Sequence, residues 1–190
     1  MPRHLTNELY SHFYYDVLSF RELFGLPVEQ FELPQANEEL HLTLLQEEFF
    51  EVVTADSLVT QLGELADTIY VLVGAEVELG NDTPSLMTPW RRILIELCLT
   101  MFERLGKPVL PVWNEIQRAN MAKACTTHEE VDATVKAYRD QGIPALVKEV
   151  KGRWVVLCAD NCTDKDGKPV KAGKVLKNAY YRKADIAALV

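Results

Sequence analysis

Two clusters of acids set inside apolar, helix-forming sequence constrain this chain more than any other feature. Glu47, Glu48 and Glu51 form the first and Glu64 and Asp67 the second, within LLQEEFFEVVTADSLVTQLGELADTIYVL at residues 44–72. On a helix, residues three apart share one face with Cβ atoms about 5–6 Å apart. Glu48 therefore pairs with Glu51, and Glu64 with Asp67. Between the clusters, Ala55-Asp56-Ser57 reads as a turn followed by a Ser or Asp N-cap. Two helices joined so tightly are expected to run antiparallel and side by side, which brings four carboxylates to one depth of the pair.

Such a convergence has a physical consequence. Each carboxylate raises the pKa of its neighbours, and partial burial raises it further. Four of them stay ionised together only around a cation. Oxygen-only, carboxylate-rich sites suit hard divalent ions, chiefly Mg2+ or Mn2+, and those ions suit phosphate substrates. The alternative is two solvated acidic faces, the usual fate of helical acid runs. Against it stands the company these acids keep: Leu44, Leu45, Phe49, Phe50, Val52, Leu62, Leu65 and Ile69. Charges rarely sit unpaired among such residues.

The pattern Glu47-Glu48-x-x-Glu51, twelve residues, then Glu64-x-x-Asp67 resembles the signature of the all-α NTP pyrophosphatases, the superfamily of MazG-like enzymes, phosphoribosyl-ATP pyrophosphohydrolases and dimeric dUTP and dCTP pyrophosphatases. The resemblance implies a mainly α fold, an antiparallel helical bundle. It also implies that Glu48, Glu51, Glu64 and Asp67 hold one to three Mg2+ or Mn2+ ions. Glu47, about 100° around the helix from Glu48, is expected to orient or deprotonate the attacking water, with metal ligation as the alternative.

The rest of the chain reads in order. Leu9, Phe13, Val17, Phe20 and Phe24 recur at helical spacing over 5–24, with Gly25 as the stop. This stripe reads as core, with Phe13, Tyr14, Asp16 and Phe20 as an alternative wall for a nucleobase. Helices are expected over Asn37–Thr54 and Ser57–Leu79, closed by Gly80-Asn81-Asp82. A fourth, Trp90–Leu105, is expected to bury Ile93, Leu94, Leu97, Met101 and Leu105. A fifth, Leu110–Lys123, places Asn120 and Lys123 on one face. Many relatives in the resembled superfamily carry Asn-x-x-Lys here, which implies substrate contact: Lys123 to phosphate, Asn120 to base or sugar. The bland reading is a solvated helix end with Lys123 complementing the macrodipole.

Beyond Thr126 the chain changes character. HEEVDATVKAYRDQG reads as an amphipathic helix capped by Thr127 with Glu130 three residues on. A β-prone run at Arg153–Cys158, an Asp166-Gly167 hairpin signal and a return strand at Lys174–Lys177 follow. The expected organisation is thus a core over 1–125 and a helix-plus-β-hairpin appendage over 126–190. The appendage is rich in lysine, and Lys174 and Lys177 are candidates to meet a polyanionic substrate; a solubilising strand edge is the equal alternative.

Composition narrows the classes. The net charge is −8, which argues against bulk binding to nucleic acid or an anionic membrane. The N-terminus lacks the apolar core of a signal peptide. No stretch approaches the run of about 18 apolar residues that a membrane span needs. Four cysteines without zinc-like pairing read as reduced thiols, as in the cytoplasm. The expected activity is metal-dependent hydrolysis of a (deoxy)nucleoside triphosphate to monophosphate and pyrophosphate. Two helices offer only half a pocket, so a homodimer or homotetramer is expected. A deoxynucleotide substrate and a phage or bacterial setting are implied by resemblance alone. The alternatives are a non-catalytic nucleotide- or metal-binding helical protein and a phosphoribosyl-ATP pyrophosphohydrolase.

Overall fold

The computed structural model describes residues 4–190. Six α-helices dominate: α1 (Asn7–Phe24), α2 (Gln35–Thr54), α3 (Leu58–Leu79), α4 (Pro89–Arg104), α5 (Val109–Met121) and α6 (His128–Arg139). Five short strands follow, β1 (Ala145–Val150), β2 (Arg153–Cys158), β3 (Cys162–Thr163), β4 (Pro169–Val170) and β5 (Val175–Leu176), then a 3-10 helix at Ile186–Leu189. The fold is mainly α with a small C-terminal strand appendage. The chain divides into two compact units. One runs to Glu22, resumes over Leu26–Gln117 and closes with Ala184–Val190; the other holds Leu23–Gly25 and Arg118–Lys183.

The helical unit is built around α3. Ser57 is its N-cap, its side chain accepting from the Thr60 N–H, and Gly80 ends it in the left-handed conformation at φ 77°. Both caps satisfy backbone groups that a helix end leaves orphaned. Between them α3 buries Leu62, Leu65, Ile69, Leu72, Val73 and Val77. It is long and apolar enough to cross a membrane by length and composition, contrary to expectation. Its apolar residues form the protein core, and it also carries Glu64, Asp67, Glu76 and Glu78.

An aromatic cluster ties α1, α3 and α5 together. Phe13 lies 4.1 Å from Trp113 between ring centroids, Tyr70 5.3 Å from Trp113, and Phe20 5.6 Å from Tyr70. Asp16 accepts from the Trp113 indole at 2.8 Å. The α1 stripe is therefore core, with Phe13 and Tyr14 fully enclosed.

Two expectations need correction. α4 buries Arg91, Ile95, Cys98, Leu99 and Phe102, whereas Ile93 and Leu97 are 60% and 54% exposed. The apolar residues outnumber one face of this helix, and the buried stripe is the one that brings Arg91 inward. α5 ends at Met121, so Lys123 lies in the turn beyond it.

In the second unit α6 begins as expected: Thr127 accepts from the Glu130 N–H. The sheet has the order β1-β2-β5, antiparallel throughout. β1 was not foreseen. Its hairpin turns at Lys151-Gly152, both with positive φ, as a two-residue turn between right-twisted strands requires. The Asp166-Gly167 turn closes a separate pair, β3–β4. Leu176 and Val175 return as β5 against Val156 and Leu157. Cys125, Val131, Ile143, Val156, Cys158, Val170 and Leu176 make this unit's own core.

Candidate active site

The antiparallel register of α2 and α3 follows from their contacts. Near the start of α2, Asn37 and His41 meet Glu78 at the end of α3; near its end, Glu48 and Glu51 meet Glu64 at the start of α3. Leu45 and Val52 are the buried residues of α2. Glu48 lies between them on the helix, so it is turned toward α3 and half-buried, while Glu47 and Glu51 are exposed. Phe50 and Val53 are 69% and 80% exposed. The acid cluster thus opens to solvent on one side, and its apolar surroundings are thinner than the sequence suggests.

One carboxylate oxygen from each of Glu48, Glu51 and Glu64 lies within 4.8 Å of the others. Burial, then the charges of Asp67, Glu64, Glu51 and Glu47, pushes Glu48 up to about 8 from its usual 4.5. Glu64 is pushed up to about 7 by burial, by Asp67 and by Glu51, with which it shares a hydrogen bond. Among the described residues no lysine or arginine pairs with Glu48, Glu51 or Glu64. Three hard oxygen donors in reach of one point, short of positive charge, fit a divalent cation. To share one octahedral ion the three carboxylates would have to draw closer by side-chain rotation. Asp67 lies one turn along α3 from Glu64, and its charge acts on both Glu48 and Glu64.

Gly63, one residue before Glu64, is buried, and a Cβ there would lie 3.9 Å from Ile186. The C-terminal 3-10 helix docks at this point of α3. At that distance the contact is an ordinary one, so packing against the tail does not require a glycine.

The same helix carries two further carboxylates that sequence reading passed over. Glu78 accepts from Arg21 at 2.5 Å, from His41 at 3.1 Å and from Asn37. Burial opposes its ionisation, but the Asn37 and His41 hydrogen bonds and the Arg21 charge outweigh burial and hold it below the usual carboxylate range. Glu76, fully enclosed, accepts from Asn81 at 2.7 Å, from the Thr88 N–H and from Arg91 at 3.4 Å; Arg91 also grips Glu38. Arg21, Asn37, His41 and Arg91 come from α1, α2 and α4, while Asn81 and Thr88 lie in the segment between α3 and α4.

The four expected substrate contacts, Asn120, Lys123, Lys174 and Lys177, all belong to the second unit. Lys123 Nζ donates to Asn120 Oδ1 at 2.6 Å, so that pair is internally engaged. The Lys123 carbonyl accepts from the Asn178 N–H at 3.0 Å, which seats Lys123 next to the Lys177–Asn178 segment. Lys177 Nζ sits 4.9 Å over the Tyr181 ring. Lys174 is exposed at the entry to β5. Asn178 was missed by sequence reading, since an isolated asparagine in a polar tail carries no signal of burial.

A family model described as phosphoribosyl-ATP pyrophosphohydrolase matches residues 18–88. The match takes in the end of α1, all of α2 and α3 and both acid clusters, and stops before α4. No curated protein and no solved structure matches the chain. Residues 18–88 are thus similar to a pyrophosphohydrolase family, which supports the resemblance to the all-α NTP pyrophosphatases, and both acid clusters fall within that segment.

Proposed function

We propose that this protein hydrolyses a (deoxy)nucleoside triphosphate to the monophosphate and pyrophosphate, with Mg2+ or Mn2+. The observation that carries the reading is the convergence of Glu48, Glu51 and Glu64 within 4.8 Å inside the segment that matches the pyrophosphohydrolase family. Glu48, Glu51, Glu64 and Asp67 would hold one to three ions. When bound, such ions neutralise charge developing on the phosphates and lower the pKa of a water. Glu47 is exposed at the rim, adjacent in sequence to Glu48 but turned about 100° away. That position suits orienting a water or accepting its proton rather than ligation. Lys123 and Lys177 serve as point cations for outer phosphate oxygens, Lys174 as a more peripheral one, and Asn120 for base or sugar.

The active form is a homodimer or homotetramer. Phe50 and Val53 on α2, and Trp90, Ile93 and Leu97 at i, i+3 and i+7 on α4, leave apolar stripes exposed. Single exposed apolar residues need no explanation, but a stripe at helical spacing suits a second copy. Light scattering that returns a monomer at working concentration would overturn this part.

Pyrophosphate release assayed with Mg2+ or Mn2+ across the eight common NTPs and dNTPs tests the activity. Phosphoribosyl-ATP belongs in the same panel, because the matching family model bears that substrate's name. Turnover of phosphoribosyl-ATP alone would move the protein to that reaction. Nucleotide binding without release of pyrophosphate from any of them would make it a binding protein.

A further inference from the structure

We propose that Asn178 is a positioning residue: it holds Lys123 and Lys177 side by side so that the two ammonium groups grip one polyphosphate chain. This rests on the reading of the protein as a nucleotide pyrophosphohydrolase and adds to it a residue outside the acid motif.

Asn178 is buried, 8% accessible, between exposed Lys177 and exposed Ala179. Its whole hydrogen-bonding capacity is engaged. The backbone N–H donates to the Lys123 carbonyl at 3.0 Å, and the backbone carbonyl accepts from Tyr181 at 2.8 Å. The side-chain amide donates to Glu130 Oε2 at 3.1 Å and to the Ala124 carbonyl at 3.4 Å. Its carbonyl oxygen accepts from the Tyr180 N–H at 2.9 Å. One residue thereby joins the turn after α5, the first turn of α6 and the tail. Its main partner is fixed in turn, because Glu130 also accepts from the Thr126 N–H and hydroxyl.

The lysines flank this junction. Lys123 is the residue whose carbonyl Asn178 holds, and Lys177 is the residue before it. Their chain attachments are therefore locked together while both side chains stay outside the buried cluster. Lys123 is steadied by Asn120 at 2.6 Å and Lys177 by the Tyr181 ring. Two flexible lysines lose less freedom on binding a polyanion when their backbones are already fixed. A triphosphate presents oxygens along its length, so a pair of point cations matches it better than one. The role needs an asparagine. Glutamine is a methylene too long for this junction, and aspartate would face Glu130 with a second carboxylate.

The test uses the full chain. Inorganic tripolyphosphate is titrated calorimetrically into wild type, Asn178→Ser, Lys123→Gln, Lys177→Gln, and the charge-conserving swap Asn178→Asp with Glu130→Gln. Asn178→Ser should weaken binding by about tenfold, as each lysine variant should, whereas the swap should stay within about threefold of wild type. With the nucleotide substrate, Asn178→Ser should raise KM by the same factor and leave kcat within about threefold. In the Lys123→Gln/Lys177→Gln background, Asn178→Ser should change nothing further. Should Asn178→Ser not fold, acylation footprinting of wild type decides: tripolyphosphate should protect Lys123 and Lys177 together. Wild-type affinity in Asn178→Ser, a loss confined to kcat, protection of only one lysine, or no tripolyphosphate binding by wild type would each overturn the proposal. If tripolyphosphate binds and Asn178→Ser weakens that binding as expected while no nucleotide is hydrolysed, the grip stands and the pyrophosphohydrolase reading falls.

Discussion

The two ends of α3 carry carboxylates in similar sequence and treat them in opposite ways. At one end, Glu64 faces Glu48 and Glu51, and the group lacks a cation from any lysine or arginine among the described residues. At the other, Glu76 and Glu78 are almost wholly enclosed, each with an arginine and several hydrogen-bond donors. The second arrangement completes itself within the protein and is structural. The first lacks a positive charge of its own, which is what makes it the candidate site. Burial is therefore not what marks a functional acid here, since the more deeply buried pair is the inert one. The mark is a missing partner.

The sharpest way to break this comparison is to neutralise one acid at each end. Glu51→Gln should lower metal-dependent pyrophosphate release by at least about a hundredfold, because it removes a ligand where charge has to be met. Its thermal midpoint should not fall. Glu78→Gln should do the reverse. It leaves Arg21 buried without its counter-charge, which destabilises by about 3–5 kcal/mol, read as a lowered denaturant midpoint at unchanged slope. If Glu51→Gln unfolds the protein and Glu78→Gln does not, the two ends have been assigned the wrong way round.

How legible was this difference in the sequence? The acid pairs at 48/51 and 64/67 were readable because both the spacing within each pair and the short connection are local quantities. Ser57 and Gly80 were readable for the same reason, each acting on the helix end beside it. Glu76 and Glu78 were not, because their identity as structural acids depends on Arg21, Asn37, His41 and Arg91, which only the packed bundle delivers. The α4 face failed on the same ground. Arg91 belongs to the buried stripe because Glu76 and Glu38 receive it, and periodicity alone assigns a charged residue to solvent. β1 escaped notice because ALVKEV is exposed along nearly its whole length and shows no apolar alternation; it is a strand because β2 pairs with it. Asn178 is the same case in miniature.

Metal should expose the asymmetry with a smaller but cleaner effect. At a hundred times its dissociation constant, Mn2+ should stabilise the wild-type protein by about 2.7 kcal/mol, and it should stabilise Glu51→Gln far less. Thermal shift with Mn2+ and with Ca2+ as a control reads this directly. Equal shifts in both proteins would place the ion elsewhere.

The most discriminating prediction is the smallest, and it concerns the metal-free protein. Glu48 and Glu64 have folded-state pKa values near 8 and 7, well above the usual 4.5. Between those limits the folded chain holds more protons than the unfolded chain, so stability falls as pH rises from about 5 to 8. Glu78 is shifted the other way, and its contribution is present above the ordinary carboxylate pKa and lost as pH falls through its lowered folded value. Metal-free wild type should therefore be less stable at pH 8 than at pH 5.5. Glu48→Gln should flatten that slope and gain stability at pH 8 relative to wild type, which is rare for a substitution of a half-buried charge. Saturating Mn2+ should flatten the slope in wild type as well, because the ion replaces the missing protons. Chemical denaturation in chelator at the two pH values makes the measurement. A Glu48→Gln variant that is less stable than wild type at pH 8 would mean that Glu48 has a partner in solution, and the acid cluster would then be a second structural site like the one at the far end of α3.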